Sequence, residues 1–199
     1  MVLLFNGMQS SLAMVYDREM GLMRLLLTAP LPRWWLLFSK LAATALLSVA
    51  QALAFVLVAA ALGTVLPFEG WALVHGVLAT IAGALMLASL GLLLSVYIKQ
   101  LENFAGTMNF VIFPMYFLST ALYPLWKLEE SGATWVYRVA QLNPFTHAVE
   151  WMRFALYGKD PGVAPWVVLG TLALCFTLAC WGYDPQRGFG GLTKRGGGS

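Results

Sequence analysis

Apolar residues fall in long unbroken runs along this chain, with no sign of the strict alternation that marks a strand. Four runs, residues 34–63, 71–97, 104–123 and 163–181, are each about long enough to cross a ~30 Å hydrocarbon layer at 1.5 Å per residue. A fifth run, Met1 to Tyr16, is shorter, carries Asn6, Gln9, Ser10 and Ser11, and stops at the charged triplet Asp17-Arg18-Glu19. It is expected to be a spanning helix lacking part of its outer end. Lipid offers the backbone no hydrogen-bond partner, so such runs must be helices, and the ten-residue alternating pattern of an outer-membrane barrel is absent. The pattern therefore predicts an all-α polytopic membrane helix bundle with five spans.

Composition sharpens this reading by exclusion. Of 199 residues, 60% are hydrophobic and only 11% charged, too apolar a balance for a water-filled globule. The first run has neither a basic leading segment nor a small-residue cleavage site, which argues against a signal peptide. Lys and Arg set the expected orientation. Arg18, Arg24, Arg33 and Lys40 flank the first connection, Lys99 lies in the third, and Arg187, Lys194 and Arg195 lie in the tail, so these segments are expected in the cytoplasm. The second connection carries only Glu69, and the long stretch 124–162 mixes Lys127, Arg138, Arg153 and Lys159 with four acids, which places both outside. The N-terminus is then outside and the C-terminus cytoplasmic. The net charge of +3 belongs to membrane-facing residues and calls for no nucleic-acid partner. Residues 1–183 form the expected membrane domain, and the Gly-rich 184–199 a flexible cytoplasmic tail.

Candidate metal chemistry is weak. Cys175 and Cys180 sit five residues apart on different sides of one helix, and His75 and His147 lie in other segments without ligand spacing. No span carries a mid-membrane acid or base, which argues against proton-coupled transport. Small residues at Ala79 and Gly83, and at Gly91 and Ser95, would let helices approach closely. Pro114 is expected to kink its span, to which Asn109, Ser119 and Thr120 give a polar edge.

Two connections carry patterned polar groups. On a helix from Asp17 to Ala29, Asp17, Gly21, Arg24 and Thr28 share one stripe, with Leu22, Leu25, Leu26 and Ala29 opposite. This predicts a cytoplasmic interfacial helix, stopped by Pro30 and Pro32, with Trp34 and Trp35 marking re-entry into lipid. An ordinary loop whose charges only fix topology fits the same spacing. In the outer stretch, Asn143 is placed to cap a helix beginning at Pro144, running to about Tyr157 and closing on Gly158. Phe145, Ala148, Val149, Met152 and Leu156 form its apolar face, with Thr146, Glu150, Arg153 and Tyr157 opposite. Glu150 and Arg153 are spaced for a surface ion pair.

The wording of both connections resembles a known family. Asp-Arg-Glu-x-Gly at 17–21, a Leu-rich turn, Thr-Ala-Pro-Leu-Pro-Arg at 28–33 and then Lys40 are similar to the region after the second span of ABC-2 type transporter permeases. Leu142-Asn143-Pro144-Phe145-Thr146-His147-Ala148-Val149-Glu150-Trp151-Met152-Arg153 resembles the stretch before that family's last helix. The resemblance runs from about Gly7 to Trp181. It implies a permease subunit of an exporter, paired with a second permease copy and two ATPase subunits in the membrane, with ATP and Mg bound by the ATPase and no cofactor in this chain. It further implies a coupling helix for the ATPase carrying Asp17, Arg18, Glu19, Gly21, Arg24 and Thr28. Asn143, Pro144, Phe145, Thr146, Glu150 and Arg153 would belong to an outer gate helix that, with one near Trp126 to Trp135, re-enters the outer leaflet. A bacterial cytoplasmic (inner) membrane location goes with that family. Family members have six spans, so a further helix is expected upstream of Met1, without which transport is not expected.

No phosphate-binding Gly-x-x-x-x-Gly-Lys-Ser/Thr loop occurs in the sequence, in keeping with a transport subunit that is not itself an enzyme. Two other classes stay open. One is a membrane-embedded transferase using the outer acids Glu129, Glu130 or Glu150, for which no matched nucleophile and base are present. The other is a polytopic scaffold or assembly protein without transport activity.

Overall fold

The structure, a computed structural model, describes residues 1–20, 33–63, 70–98, 101–123, 125–130, 132 and 134–182. Among the described residues it is all helical. In chain order the elements are α1 (Val2–Glu19), α2 (Arg33–Ala61), α3 (Gly70–Tyr97), α4 (Leu101–Phe117), α5 (Leu125–Glu130), α6 (Thr134–Leu142), α7 (Pro144–Leu156) and α8 (Ala164–Gly182). Among the described residues three helices are long and apolar enough to cross a membrane, at Trp34–Ala61, Trp71–Tyr97 and Ala164–Gly182. With 18 and 17 residues, α1 and α4 fall below this standard for length or composition.

The centre of the bundle is α3. Over its most apolar window 56% of residues are buried, against 22% in both α2 and α8, so α2 and α8 lie around it and turn side chains such as Leu46, Phe55, Leu57 and Trp166 outward. That outward face suits a lipid surround, where apolar exposure costs nothing. One apolar cluster, with Leu4, Met8, Met86, Ile112, Phe145, Trp151 and Val168, joins α1, α3, α4, α7 and α8. A second, with Met14, Leu37, Leu41, Leu92, Val96 and Ala179, closes the Tyr97 end.

Helix directions follow from which residues meet. Asn6 of α1 reaches Ser48 and Gln51 of α2 while Asp17 reaches Lys40, so α1 and α2 are antiparallel. Gly7 lies against Leu87 and Ala88 of α3, and Ser95 donates to the Met14 sulfur, so α1 and α3 run the same way. On the opposite stretch of α3, Gly83 meets Ala148 and Met152, and Gly76 meets Leu156, which makes α7 antiparallel to α3.

Small residues make these approaches possible. A Cβ on Gly7 would lie 2.8 Å from the Leu87 carbonyl carbon, and one on Gly91 would lie 2.9 Å from the Gly7 carbonyl oxygen. Backbone rests on backbone there, and the Ser11 hydroxyl, beside Gly91, donates to the Gly7 carbonyl at 2.9 Å. The sequence expectation for Gly91 and Ser95 and for Ala79 and Gly83 is met on two faces of one helix: α1 packs on the first pair and α7 on Gly83, with Ala79 fully buried.

Two boundaries differ from the sequence reading. The expected span 104–123 ends at Phe117, where the last ladder bond runs from the Leu118 N–H to the Pro114 carbonyl and the chain turns over 118–123. Ser119 and Thr120 therefore sit in the turn beyond the helix, and the Ser119 hydroxyl bonds the Tyr116 carbonyl and accepts from the Ala121 N–H. Asp17, Arg18 and Glu19 form the last turn of α1, with Asp17 held by Lys40 of α2 and the Met20 N–H still on the Tyr16 carbonyl.

Because α1 and α3 touch through backbone, Gly91→Ala and Gly7→Ala are each expected to destabilise the chain by about 1–3 kcal/mol, the usual range for overpacking. Thermal unfolding in detergent reads this. Gly106→Ala, which has open space around it, serves as the matched control and should move the midpoint little.

Candidate functional site

Polar groups gather at two places in the bundle. At the Tyr97 end, α1 leaves with Asp17 in an ion pair to Lys40 of α2, each side chain about a quarter exposed. The pair fixes the last turn of α1 to the first turns of α2. Glu19, two residues on, is exposed. Gly21, Arg24 and Thr28 lie outside the described residues, as does the rest of the segment 21–32, so the expected interfacial helix over them is not described; nor is the Arg18 side chain.

Where the end of α4 meets α7, the residues expected in an outer gate helix come together. Asn143 takes an extended conformation, its side chain accepts from the Phe145 N–H at 3.0 Å, and Pro144 opens α7. The same side chain donates to the Met115 carbonyl at 2.7 Å and to the Leu118 carbonyl at 3.4 Å. One residue thus caps the start of α7 and takes up carbonyls left open at the end of α4. At the far end of α7, Gly158 adopts a φ of 63°, and the Lys159 N–H closes on the Phe154 carbonyl at 2.9 Å.

The polar side of α7 corrects the sequence reading. Thr146 and Glu150, expected opposite the apolar face in a surface setting, are buried, as are Trp151 and Ala155. The reason is the turn after α4, which packs on that side. Arg153 donates to the Glu150 carboxylate at 2.8 Å and to the Thr120 carbonyl at 2.9 Å, so the ion pair is also a clamp on the α4 terminus. With the Glu150 side chain only 9% exposed, this is a shielded, doubly bonded pair. The Thr120 hydroxyl adds a 3.4 Å bond to the Thr146 carbonyl, and the Thr146 hydroxyl is left buried without a partner. Glu150 is thereby engaged by Arg153 and poorly placed as a general acid or base. Glu130 is exposed, and the Glu129 side chain lies outside the described residues.

Sequence reasoning missed two contacts. Asn6 with Gln51 and Ser48 ties α1 to α2 inside apolar runs, and the signal was there, because a polar residue within a span seeks a polar partner on a neighbour. Arg153 with Thr120 had no signal, since its acceptor is a backbone carbonyl. Beside the Asn6 contact lies an apolar cavity of about 460 Å³ between α1, α2, α3 and α7, lined by Leu3, Val49, Gln51, Phe55, Val77 and Met152.

Residues 1–157 match the sequence profile of the membrane family described as ABC-2 type transporter. A protein of Porphyra purpurea named "Putative transport permease ycf38" is 31% identical over 160 residues, covering 78% of this chain and 53% of its own length. The protein of the same name from Cyanophora paradoxa is 30% identical over 151 residues, covering 75% and 50%. The chain spans about half the length of these curated relatives. No solved structure matches it.

The double role of Asn143 can be split by substitution. Asn143→Asp keeps the acceptor for the Phe145 N–H but cannot donate to Met115 and Leu118, whereas Asn143→Ala loses both functions. Alanine is expected to cost about 2 kcal/mol and aspartate at least half as much, read as thermal midpoints in detergent. Arg153→Ala strands a buried carboxylate and is expected to cost about 3–5 kcal/mol, with much of the loss recovered by adding Glu150→Gln.

Proposed function

Since this chain belongs to the ABC-2 type transporter membrane family, we propose that it is the membrane-spanning permease subunit of an exporter driven by ATP hydrolysed on separate ATPase subunits. It is an integral membrane protein, and transport rather than catalysis is the activity of its family. The family match over residues 1–157 carries this reading. The permease pairs with a second permease copy and two ATPase subunits, and ATP with Mg stays on the ATPase.

In this reading five helices cross. Besides the three long apolar helices, α1 and α4 measure about 27 and 26 Å at 1.5 Å per residue, just short of a ~30 Å core. Alternating directions of α1, α2 and α3 support this count, and the Lys and Arg positions favour the Tyr97 end as cytoplasmic. A re-entrant α7 is supported by Ala148 lying against Gly83, which is 83 − 70 = 13 residues, or about 20 Å, along α3 from Gly70. The inner face of a bacterial cytoplasmic membrane is the setting we assign to the coupling segment.

Movement would enter through the segment after α1. Asp17 is already bonded to Lys40, so its role is to join α1 to α2, and the ATPase contacts fall to Arg18, Glu19, Gly21, Arg24 and Thr28. A push on that segment then moves α1 and α2 as one pair against α3. Deeper in the bundle, α4 and α7 share the Asn143 and Arg153 bonds and would move together as the gate.

The test is the double variant Glu19→Ala with Arg24→Ala, made in the longest natural reading frame and expressed beside its ATPase. It should lower ATP-dependent transport at least about fivefold, the lower bound of common coupling strengths, at normal membrane abundance. ATPase association and transport both unchanged would refute the coupling role. Normal ATPase association with no transport by the parent chain would favour a scaffold.

A further inference from the structure

At the Trp71 end of α3 a second cavity, of about 340 Å³, opens beside α7 and the loop to α8. Its walls include Trp71, His75, Trp151, Lys159 and Asp160. Its depth is set by the helices around it: Trp71 lies in the first turn of α3, and Asp160 and Pro161 lie just before α8, which begins at Ala164. A cavity at the start of two spans sits at the level of lipid headgroups, where tryptophan concentrates.

The chemistry of the walls is mixed in a specific way. Lys159 brings an ammonium and Asp160 a carboxylate, and neither takes part in an ion pair among the described residues. Their backbone is held firmly. The Lys159 N–H bonds the Phe154 carbonyl, Gly158 makes the turn at positive φ, and one Asp160 oxygen accepts from the Gly162 N–H at 3.1 Å. The other carboxylate oxygen is left for a ligand. Trp151, packed in the core at 9% exposure, and Trp71, mostly open, supply aromatic surface of the kind that attracts a cationic nitrogen. An anion alone meets the repulsion of Asp160, and a cation alone that of Lys159. A group with both charges satisfies the two side chains at once, and the volume is within the range of small-ligand sites.

We propose that this cavity binds the zwitterionic headgroup of a membrane phospholipid, with its phosphate on Lys159 and its ammonium between Asp160 and the tryptophan rings. The proposal needs α3 and α8 to cross a membrane and is independent of the ATPase reading. Such a site would hold the loop between the outer helix and α8 at a fixed depth.

Native mass spectrometry of the full chain, stripped of lipid in maltoside detergent and titrated with dioleoyl phosphatidylethanolamine, tests it. One such lipid is expected to be retained, and dioleoyl phosphatidylglycerol markedly less. Lys159→Ala and Asp160→Asn are each expected to weaken retention about tenfold, the equivalent of losing one charge-assisted hydrogen bond, with thermal midpoints unchanged. Trp71→Leu, at a mostly exposed position, gives a second reading if either variant misfolds and should weaken retention too. Equal retention of both lipids, no retained lipid of any class, or retention unchanged in the variants overturns the proposal. So does equally tight binding of soluble glycerophosphoethanolamine, which would mark a site for a free phosphoester. None of these outcomes bears on ATPase coupling, which is read separately by transport.

Discussion

Gly7 of α1 and Gly91 of α3 bring two backbones within reach of each other, and the arrangement of the other helices depends on that crossing. In a bilayer, helices gain little by hiding apolar side chains from one another, because the surrounding chains are equally apolar. Close packing and polar contacts must hold the bundle instead. With α1 set down on its glycine face, α3 is left with Gly83 for α7 and its flanks for α2 and α8. Gly91 at the α1 contact and Gly83 at the α7 contact let these elements come close to the central helix, while its Met86, Leu87 and Leu92 fill the core between neighbours.

Polar bonds then tie the peripheral helices to each other at defined depths. Asn6 with Gln51 and Asp17 with Lys40 fasten α1 to α2 at two levels, so the pair resists sliding. Asn143 and Arg153 do the same between α7 and the end of α4, using carbonyls that the end of the helix leaves open. Two tied pairs thus pack against one central helix. In the proposed permease, ATP-driven movement arrives at one pair and the gate belongs to the other.

Much of this was legible in the sequence where a single local rule decided the outcome. The apolar runs gave α2, α3 and α8, Asn143-Pro144 gave the start of α7, and Gly158 gave its end. Small residues at Gly83 and Gly91 marked contact faces, though nothing local says which partner takes which face. The misses share one cause, which is that their deciding partner lies far along the chain. Glu150 and Thr146 look like surface residues until the turn at 118–121 folds onto them, and Arg153 finds a backbone carbonyl that no residue type announces. The end of α4 at Phe117 is likewise held by Asn143, which takes up its carbonyls from 26 residues away, counted as 143 − 117.

The most direct measurement of the proposed five-crossing arrangement is labelling of single cysteines in intact cells by an impermeant reagent, in a chain with Cys175→Ala and Cys180→Ala. Gly21→Cys and Lys99→Cys are expected to stay unlabelled until the membrane is opened, whereas Glu69→Cys and Glu130→Cys are labelled at once. Labelling at position 21 from outside, or protection at position 130, would contradict the account.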